Sequence, residues 1–228
     1  MKLNERTWAG QIISWIKQAV NNGTTVFQDA TNDEGLIVAS GKTKFPDVLL
    51  FIDRVSGIVL NGWELKFPDT EADDTLMLEN ALEKAQRLKS NSFVTWNGTE
   101  AIIWKIKDDN YTLSSLEKLK VYQKEIEIIK RNDLADRNNY HKHEAKLKNR
   151  LNEILHDLEQ LYSIGELRNA INISSNIIDA ITQTAIHFIP QLKFEINKLK
   201  SEDRQFRMKF NEWKIIESAT LKILSTSS

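Results

Sequence analysis

The 228-residue chain contains no cysteine, which excludes disulfides, thiolate zinc sites and a cysteine nucleophile together. Long apolar runs are missing as well. No segment approaches the roughly 18 consecutive apolar residues of a membrane-spanning helix. The opening residues MKLNERTW have neither the apolar run nor the small-residue cleavage site of a secretory signal, so a cytoplasmic setting with no membrane association is expected. There is no P-loop, no GxGxxG and no methyltransferase motif. Nor is there a helix-turn-helix, a zinc finger or a basic arm that reads bases, and no internal repeat. The net charge is only −1, so no bulk positive field advertises nucleic-acid binding.

What is present is the composition of a globular protein, with 41% apolar and 28% charged residues and enough length for one domain plus an appendage or two small domains. The two halves differ. Residues 1–111 hold 12 Lys and Arg against 16 Asp and Glu, whereas residues 112–228 hold 19 against 16. The first half alternates helical and strand patterns. Trp8, Ile12, Ile13, Trp15 and Ile16 predict a helix over 3–20, with Asn4 as its N-cap and Asn22-Gly23 as its stop. Residues 35–40, 47–53 and 57–67 are rich in Val, Ile and Leu between turn signals and predict strands of a buried sheet. A helix over 75–89 follows, then strands over 92–96 and 101–106 joined at Asn97-Gly98.

From about Leu116 the pattern predicts helix almost exclusively. Tyr140, Leu147, Leu151, Ile154, Leu158 and Leu161 form a heptad-like seam. Gly165 is expected to break it, and a second helix to run through Ile186 to Pro190. A last helix carries Phe206, Phe210, Trp213 and Ile216, while 131–143 reads as a loop or solvated helix. The expected architecture is α+β with a mixed central sheet over 1–111, followed by an all-α extension over 112–228.

The chemistry concentrates in the first half. Phosphodiester hydrolysis needs a divalent metal that stabilises developing charge and lowers the pKa of an attacking water, and Mg²⁺ takes oxygen ligands, usually one or two carboxylates with waters and phosphate. Asp47 begins one predicted strand; Glu64 and Lys66 lie near the end of the next. Residues two apart on a strand share a face, so Glu64 and Lys66 project together while Leu65 points into the core. If the two strands are antiparallel neighbours, Asp47 and Glu64 meet across the hairpin beside a lysine. An acid inside the apolar run VLNGWELKF is costly unless it binds something.

Pro46-Asp47, sixteen residues, then Glu64-Leu65-Lys66 resembles the signature of the PD-(D/E)XK nuclease superfamily. The resemblance covers residues 1–106 and implies a restriction-endonuclease-like αβββαβ core. It implies that Asp47 and Glu64 bind Mg²⁺, or Mn²⁺ in its place, and that Lys66 orients or activates the hydrolytic water. Glu5, on the helix before the strands, matches the family's auxiliary carboxylate. Gln86, on the helix after the motif, matches its auxiliary polar residue. GWELKFPDT followed by a helix and SFVTWNG are most similar to nuclease domains of type IIG and type I-like restriction–modification enzymes. Those domains precede a methyltransferase, often through a helical connector. The resemblance therefore implies an Mg²⁺-dependent endodeoxyribonuclease acting on double-stranded DNA. A methyltransferase and specificity region is expected in the same polypeptide or complex, with transient pairing of chains for double-strand cutting.

Two other functions fit the residues. One is a non-catalytic helical scaffold that binds a partner through the seam and keeps a vestigial nuclease fold; the other is a structure-specific or repair nuclease of the same superfamily. His141 and His143, two apart on a helix, do not converge on a metal. Asp69, Glu71, Asp73 and Asp74 read as a solvated loop entering a helix N-terminus. Trp63 and Trp96 read as core.

Overall fold

The computed structural model describes residues 4–32, 36–37, 43–123, 130–170 and 192–213. Two compact units divide the chain, Met1–Ile177 and Ile178–Ser228. The first begins with α1 (Glu5–Asn21), started by the Asn4 side chain, which accepts from the Thr7 N–H at 2.8 Å. Trp8, Ile12, Trp15, Ile16 and Ala19 recur at helical spacing and are all buried, so one apolar stripe fixes the face that docks. The strands are β1 (Asp29–Thr31), β2 (Leu36–Ile37), β3 (Thr43–Lys44), β4 (Val48–Asp53), β5 (Ile58–Leu65), β6 (Ser92–Trp96), β7 (Ala101–Ile106) and β8 (Leu116–Tyr122). The helix α2 (Thr75–Leu88) connects β5 to β6, and α3 (Arg131–Ala135) and α4 (Arg137–Ser163) follow β8.

Six strands form a mixed sheet in the order β1-β4-β5-β6-β7-β8, and β2 and β3 pair as a separate two-stranded sheet. Neighbours are antiparallel except β5 and β6. That parallel pair is the one joined by a helical crossover, as parallel strands require. The architecture is α+β, as expected from the sequence.

The sheet separates two cores. On one face Val48, Leu50, Trp63, Leu65, Val94, Trp96 and Ile103 pack with α1 and α4. On the other, Leu49, Phe51 and Val59 pack with Leu88, while Phe93, Ile102 and Trp104 pack with Leu78, Ala81 and Ala85 of α2. A register shift between Leu50 and Phe51 sets Leu50 opposite Asn61 and Phe51 opposite Val59, leaving Leu60 as the extra residue of a bulge. Gly98, at φ +85°, turns β6 into β7, and a Cβ there would lie 2.5 Å from Leu134 Cδ1. The turn therefore needs glycine both for its conformation and for close packing.

Several expectations are corrected. Leu116–Tyr122 is a sheet strand, not helix, pairing antiparallel with β7. It is an edge strand whose Glu117, Lys118 and Lys120 mask the alternating pattern, a common protection of sheet edges. Residues 131–143 are helical except Asp136, with Leu134 and Tyr140 buried. The seam of α4 (Leu147, Leu151, Ile154 and Leu158) is buried in the same cluster as α1 and the sheet. The first compact unit therefore extends well beyond the boundary expected at 111/112. Gly165, at φ +80°, follows the end of α4 as expected. The second helix to Ile186, Pro190 and the strand residues 35 and 38–40 lie outside the described residues. In the second unit 192–202 and 204–213 are helical, and Phe210 lies 6.0 Å from Phe206 and 5.9 Å from Trp213, ring centre to ring centre. Ile216 lies outside the described residues. No helix among them is long and apolar enough to cross a membrane.

Candidate functional site

The site is built where β4 begins and β5 ends. Val48 stands opposite Trp63, and one further step along that register sets Asp47 opposite Glu64. Facing residues of antiparallel strands share a side of the sheet, so both carboxylates lie on the α2 side. Two hydrogen bonds fix Asp47: its N–H donates to the Trp63 carbonyl at 3.1 Å, and its Oδ2 accepts the Leu65 N–H at 2.7 Å. Its other oxygen, Oδ1, has no hydrogen-bond partner among the described residues.

Glu64 is 5% exposed and is met by two ammonium groups. Lys84 of α2 donates to its Oε2, and Lys66 Nζ stands 3.8 Å from its Oε1. Lys66, one residue past β5, also donates to Glu5 Oε2 at 3.2 Å, and its backbone N–H is held by the Trp96 carbonyl at 3.0 Å. Leu65, between Glu64 and Lys66, is fully buried in the opposite core. The alternation expected of the Glu64-Leu65-Lys66 triplet is realised, as is the meeting of Asp47 and Glu64 on one face. Glu5 is also brought to the cluster, in the first turn of α1.

Gln86 is not brought to it. It lies on the exposed side of α2, about 200° around the helix from Lys84 at 100° per residue. Lys84 is the site residue that sequence reasoning missed. Its signal was present: Met77, Ala81, Lys84, Ala85 and Leu88 form the buried stripe of α2, so a lysine falls among apolar positions where it needs a counter-ion.

Electrostatics follow from this crowding. Burial, then repulsion from Glu64, push the Asp47 carboxyl up to about 6. Three acidic side chains (Glu5, Asp47, Glu64) gather with two lysines (Lys66, Lys84). Burial acts to lower the Lys66 pKa but is outweighed by Glu64, Glu5 and Asp47, so the ammonium is held above its ordinary value. A carboxyl raised by burial and by a second acid is an arrangement that a cation relieves. Asp47 and Glu64 offer hard oxygen donors suited to Mg²⁺ or Mn²⁺ rather than to softer ions. Among the described residues no group of three His, Cys, Asp or Glu side chains gathers to hold a metal. An ion here would therefore take these two carboxylates, with water or substrate oxygens completing its shell.

The other candidates resolve as structure. His141 is exposed, with Nδ1 3.3 Å from Glu144. Asp69 pairs with Arg131 at 2.5 Å and Asp73 with Lys118 at 2.8 Å, while Asp74 caps α2 by accepting from the Met77 N–H at 3.0 Å. Trp63 and Trp96 are core, at 1% and 0% exposure. Comparison with protein-family models, curated proteins and solved structures returns no match.

Proposed function

We propose that this chain is a metal-dependent endodeoxyribonuclease of the PD-(D/E)XK type, hydrolysing phosphodiesters of double-stranded DNA at Asp47, Glu64 and Lys66. The observation that carries the reading is the pairing of Asp47 and Glu64 on one side of an antiparallel pair, with Lys66 Nζ 3.8 Å from Glu64. The element order supports it. Leaving out the separate β2–β3 pair, α1, β1, β4, β5, α2 and β6 follow one another as αβββαβ, with β4 and β5 antiparallel and β6 parallel beside β5.

In this reading Asp47 and Glu64 hold Mg²⁺, or Mn²⁺ in its place, which when bound would stabilise phosphoryl charge and make a coordinated water acidic. Lys66 is kept as an ammonium by its three acidic neighbours. Its role is therefore to orient the attacking water and counter charge on the phosphate, not to remove a proton as a neutral base. Glu5 positions Lys66 through their hydrogen bond. Gln86 has no role. A cleavage function within a restriction–modification system, with sequence recognition by a methyltransferase and specificity region, accords with the missing base-reading motifs. Two chains pairing transiently would supply one site for each DNA strand.

Supercoiled plasmid incubated with Mg²⁺ or Mn²⁺ tests the proposal. Nicking or linearisation by the wild type, lost in Lys66→Ala, is the expected result. Equal cutting by both proteins would overturn it. The Lys84–Glu64 ion pair supports one second reading, a vestigial site in which lysine has replaced the metal. Calorimetric titration with Mn²⁺ separates the two, because a vestigial site takes up no ion.

A further inference from the structure

Lys84 has no place in the roles just assigned, yet it makes the most buried ionic contact of the cluster. Its residue is 7% exposed and Glu64 is 5% exposed. The stripe around it on α2 is Met77, Ala81, Ala85 and Leu88, none of which offers a polar side chain. Burying an ammonium group among such neighbours is strongly unfavourable unless a partner compensates it. Glu64 Oε2 is the partner the structure gives it. The contact therefore spends one of the two oxygens of a metal-binding carboxylate on a protein cation.

The consequence is geometric as well as electrostatic. Asp47 Oδ2 is occupied by the Leu65 N–H, and Glu64 Oε2 by Lys84. One oxygen of each carboxylate remains, Asp47 Oδ1 and Glu64 Oε1, the latter on the Lys66 side at 3.8 Å. Two fixed donors thus engage one oxygen of each carboxylate and leave the other for a further ligand. One donor is neutral and the other carries a full positive charge.

We propose that Lys84 is a positioning residue and a resident competitor for Glu64: it holds Glu64 Oε2 and leaves Oε1 on the Lys66 side, and its charge weakens the affinity of the site for a divalent cation. This rests on the metal-dependent reading of the same site. A buried positive charge in contact with a ligand atom repels a second cation strongly, so removing it tightens metal binding even though Glu64 loses its orienting contact. A lysine present only to fill space would have no such effect.

The test is Mn²⁺ binding to the full chain by calorimetry, comparing wild type with Lys84→Met, Lys84→Gln and Lys84→Arg. Lys84→Met keeps the length and apolar stem, and is expected to bind Mn²⁺ about tenfold more tightly while cutting plasmid more slowly. Lys84→Arg, which restores the charge, should return the affinity toward wild type. Lys84→Gln keeps a donor to Glu64 without the charge and serves if the methionine variant does not fold. An unchanged or weaker affinity in a folded, uncharged variant overturns the proposal and leaves the metal-dependent reading standing. No Mn²⁺ uptake by the wild type overturns the metal-dependent reading itself, and this inference with it.

Discussion

The two sides of the central sheet are built from the same strands but tolerate different things. On the α1–α4 side, Trp63 and Leu65 of β5 enter one large cluster with Trp8, Ile12, Ile16, Leu151 and Ile154. On the α2 side the apolar residues divide into two smaller clusters, and the strand ends between β4, β5 and α2 carry Asp47, Glu64, Lys66 and Lys84 instead. Each buried charge there meets an opposite charge or a backbone N–H supplied by a different element. A hydrocarbon face excludes ions because nothing there compensates their lost hydration. A face where strand ends, a helix and a loop converge can supply that compensation. One strand can therefore serve stability with one set of residues and chemistry with the alternate set.

The sharpest way to break this division is to remove the amine for which a catalytic role is proposed and which has little share in the core. Lys66→Ala is expected to lower the plasmid-cleavage rate about 10²- to 10⁴-fold, the usual weight of a positioned proton-handling or charge-bearing group, with a modest change in urea midpoint. A rate within threefold of wild type would show that the charged face is not the working one.

Next in size come the adjacent residues Glu64 and Leu65. Leu65→Ala empties a position fully enclosed by the large core and should destabilise the fold by about 2–5 kcal/mol, while Mn²⁺ affinity in the folded fraction holds. Glu64→Ala strands the buried Lys84 ammonium group and should destabilise by about 3–5 kcal/mol, abolishing Mn²⁺ uptake as well. Urea unfolding with calorimetry on both variants reads the two effects. If Leu65→Ala lost the metal and Glu64→Ala kept it, the assignment of faces would be inverted.

Asp47 offers a smaller and subtler contrast. Its folded pKa, raised from 3.8 to about 6 by burial and by Glu64, means that the folded chain binds this proton more tightly than the unfolded chain. The resulting stabilisation is complete below about pH 3.8 and is lost as pH rises through about 6. Asp47→Asn does not titrate, and its side-chain oxygen can still accept the Leu65 N–H. Without divalent ions, the variant should be more stable than wild type at pH 8 by about 1–3 kcal/mol, with the gap closing toward pH 5. Wild-type Mn²⁺ affinity should rise about tenfold per pH unit below pH 6 and level off above it. A variant less stable than wild type at pH 8 would mean that ionised Asp47 is a stabilising group.

Much of this was legible in the sequence because short-range periodicity carries it. The two-residue alternation around Leu65 separates the chemical side from the core side, and the apolar steps from Trp8 to Ala19 and Asn4 before them define α1. Strand β8 was hidden because an edge strand with one solvated face needs few apolar residues, and Leu116, Glu117 and Lys118 satisfy sheet pairing as well as helix. The domain boundary was hidden for a related reason. The seam of α4 looks the same in sequence whether it packs on a foreign partner or, as here, on α1 and the sheet. The contact of Lys84 with Glu64 spans 20 residues and depends on how α2 is rotated over the sheet, which no local pattern states. The sequence pointed to Gln86 on α2, whereas the α2 side chain that contacts Glu64 is Lys84, two positions earlier.

That misplacement gives the finest test of the comparison, since Lys84 and Gln86 occupy one helix and differ in which side they face. Lys84 lies in the buried stripe, whereas Gln86 is exposed and makes no side-chain hydrogen bond or ion pair among the described residues. Truncating it removes no such bond, and alanine is the better helix former. Gln86→Ala should therefore change stability by no more than about 0.5 kcal/mol in urea unfolding and leave Mn²⁺ affinity as it is. Its cleavage rate should stay within about twofold of wild type, because the ΔΔG of an exposed, uncoupled site rarely exceeds a few tenths of a kcal/mol. Only contact with DNA could give Gln86 weight, and that would appear as a raised substrate requirement with the metal affinity unmoved. A loss of Mn²⁺ binding in Gln86→Ala would instead require α2 to be rotated by half a turn, which would remove Lys84 from Glu64 and with it the ion pair that closes the charged face.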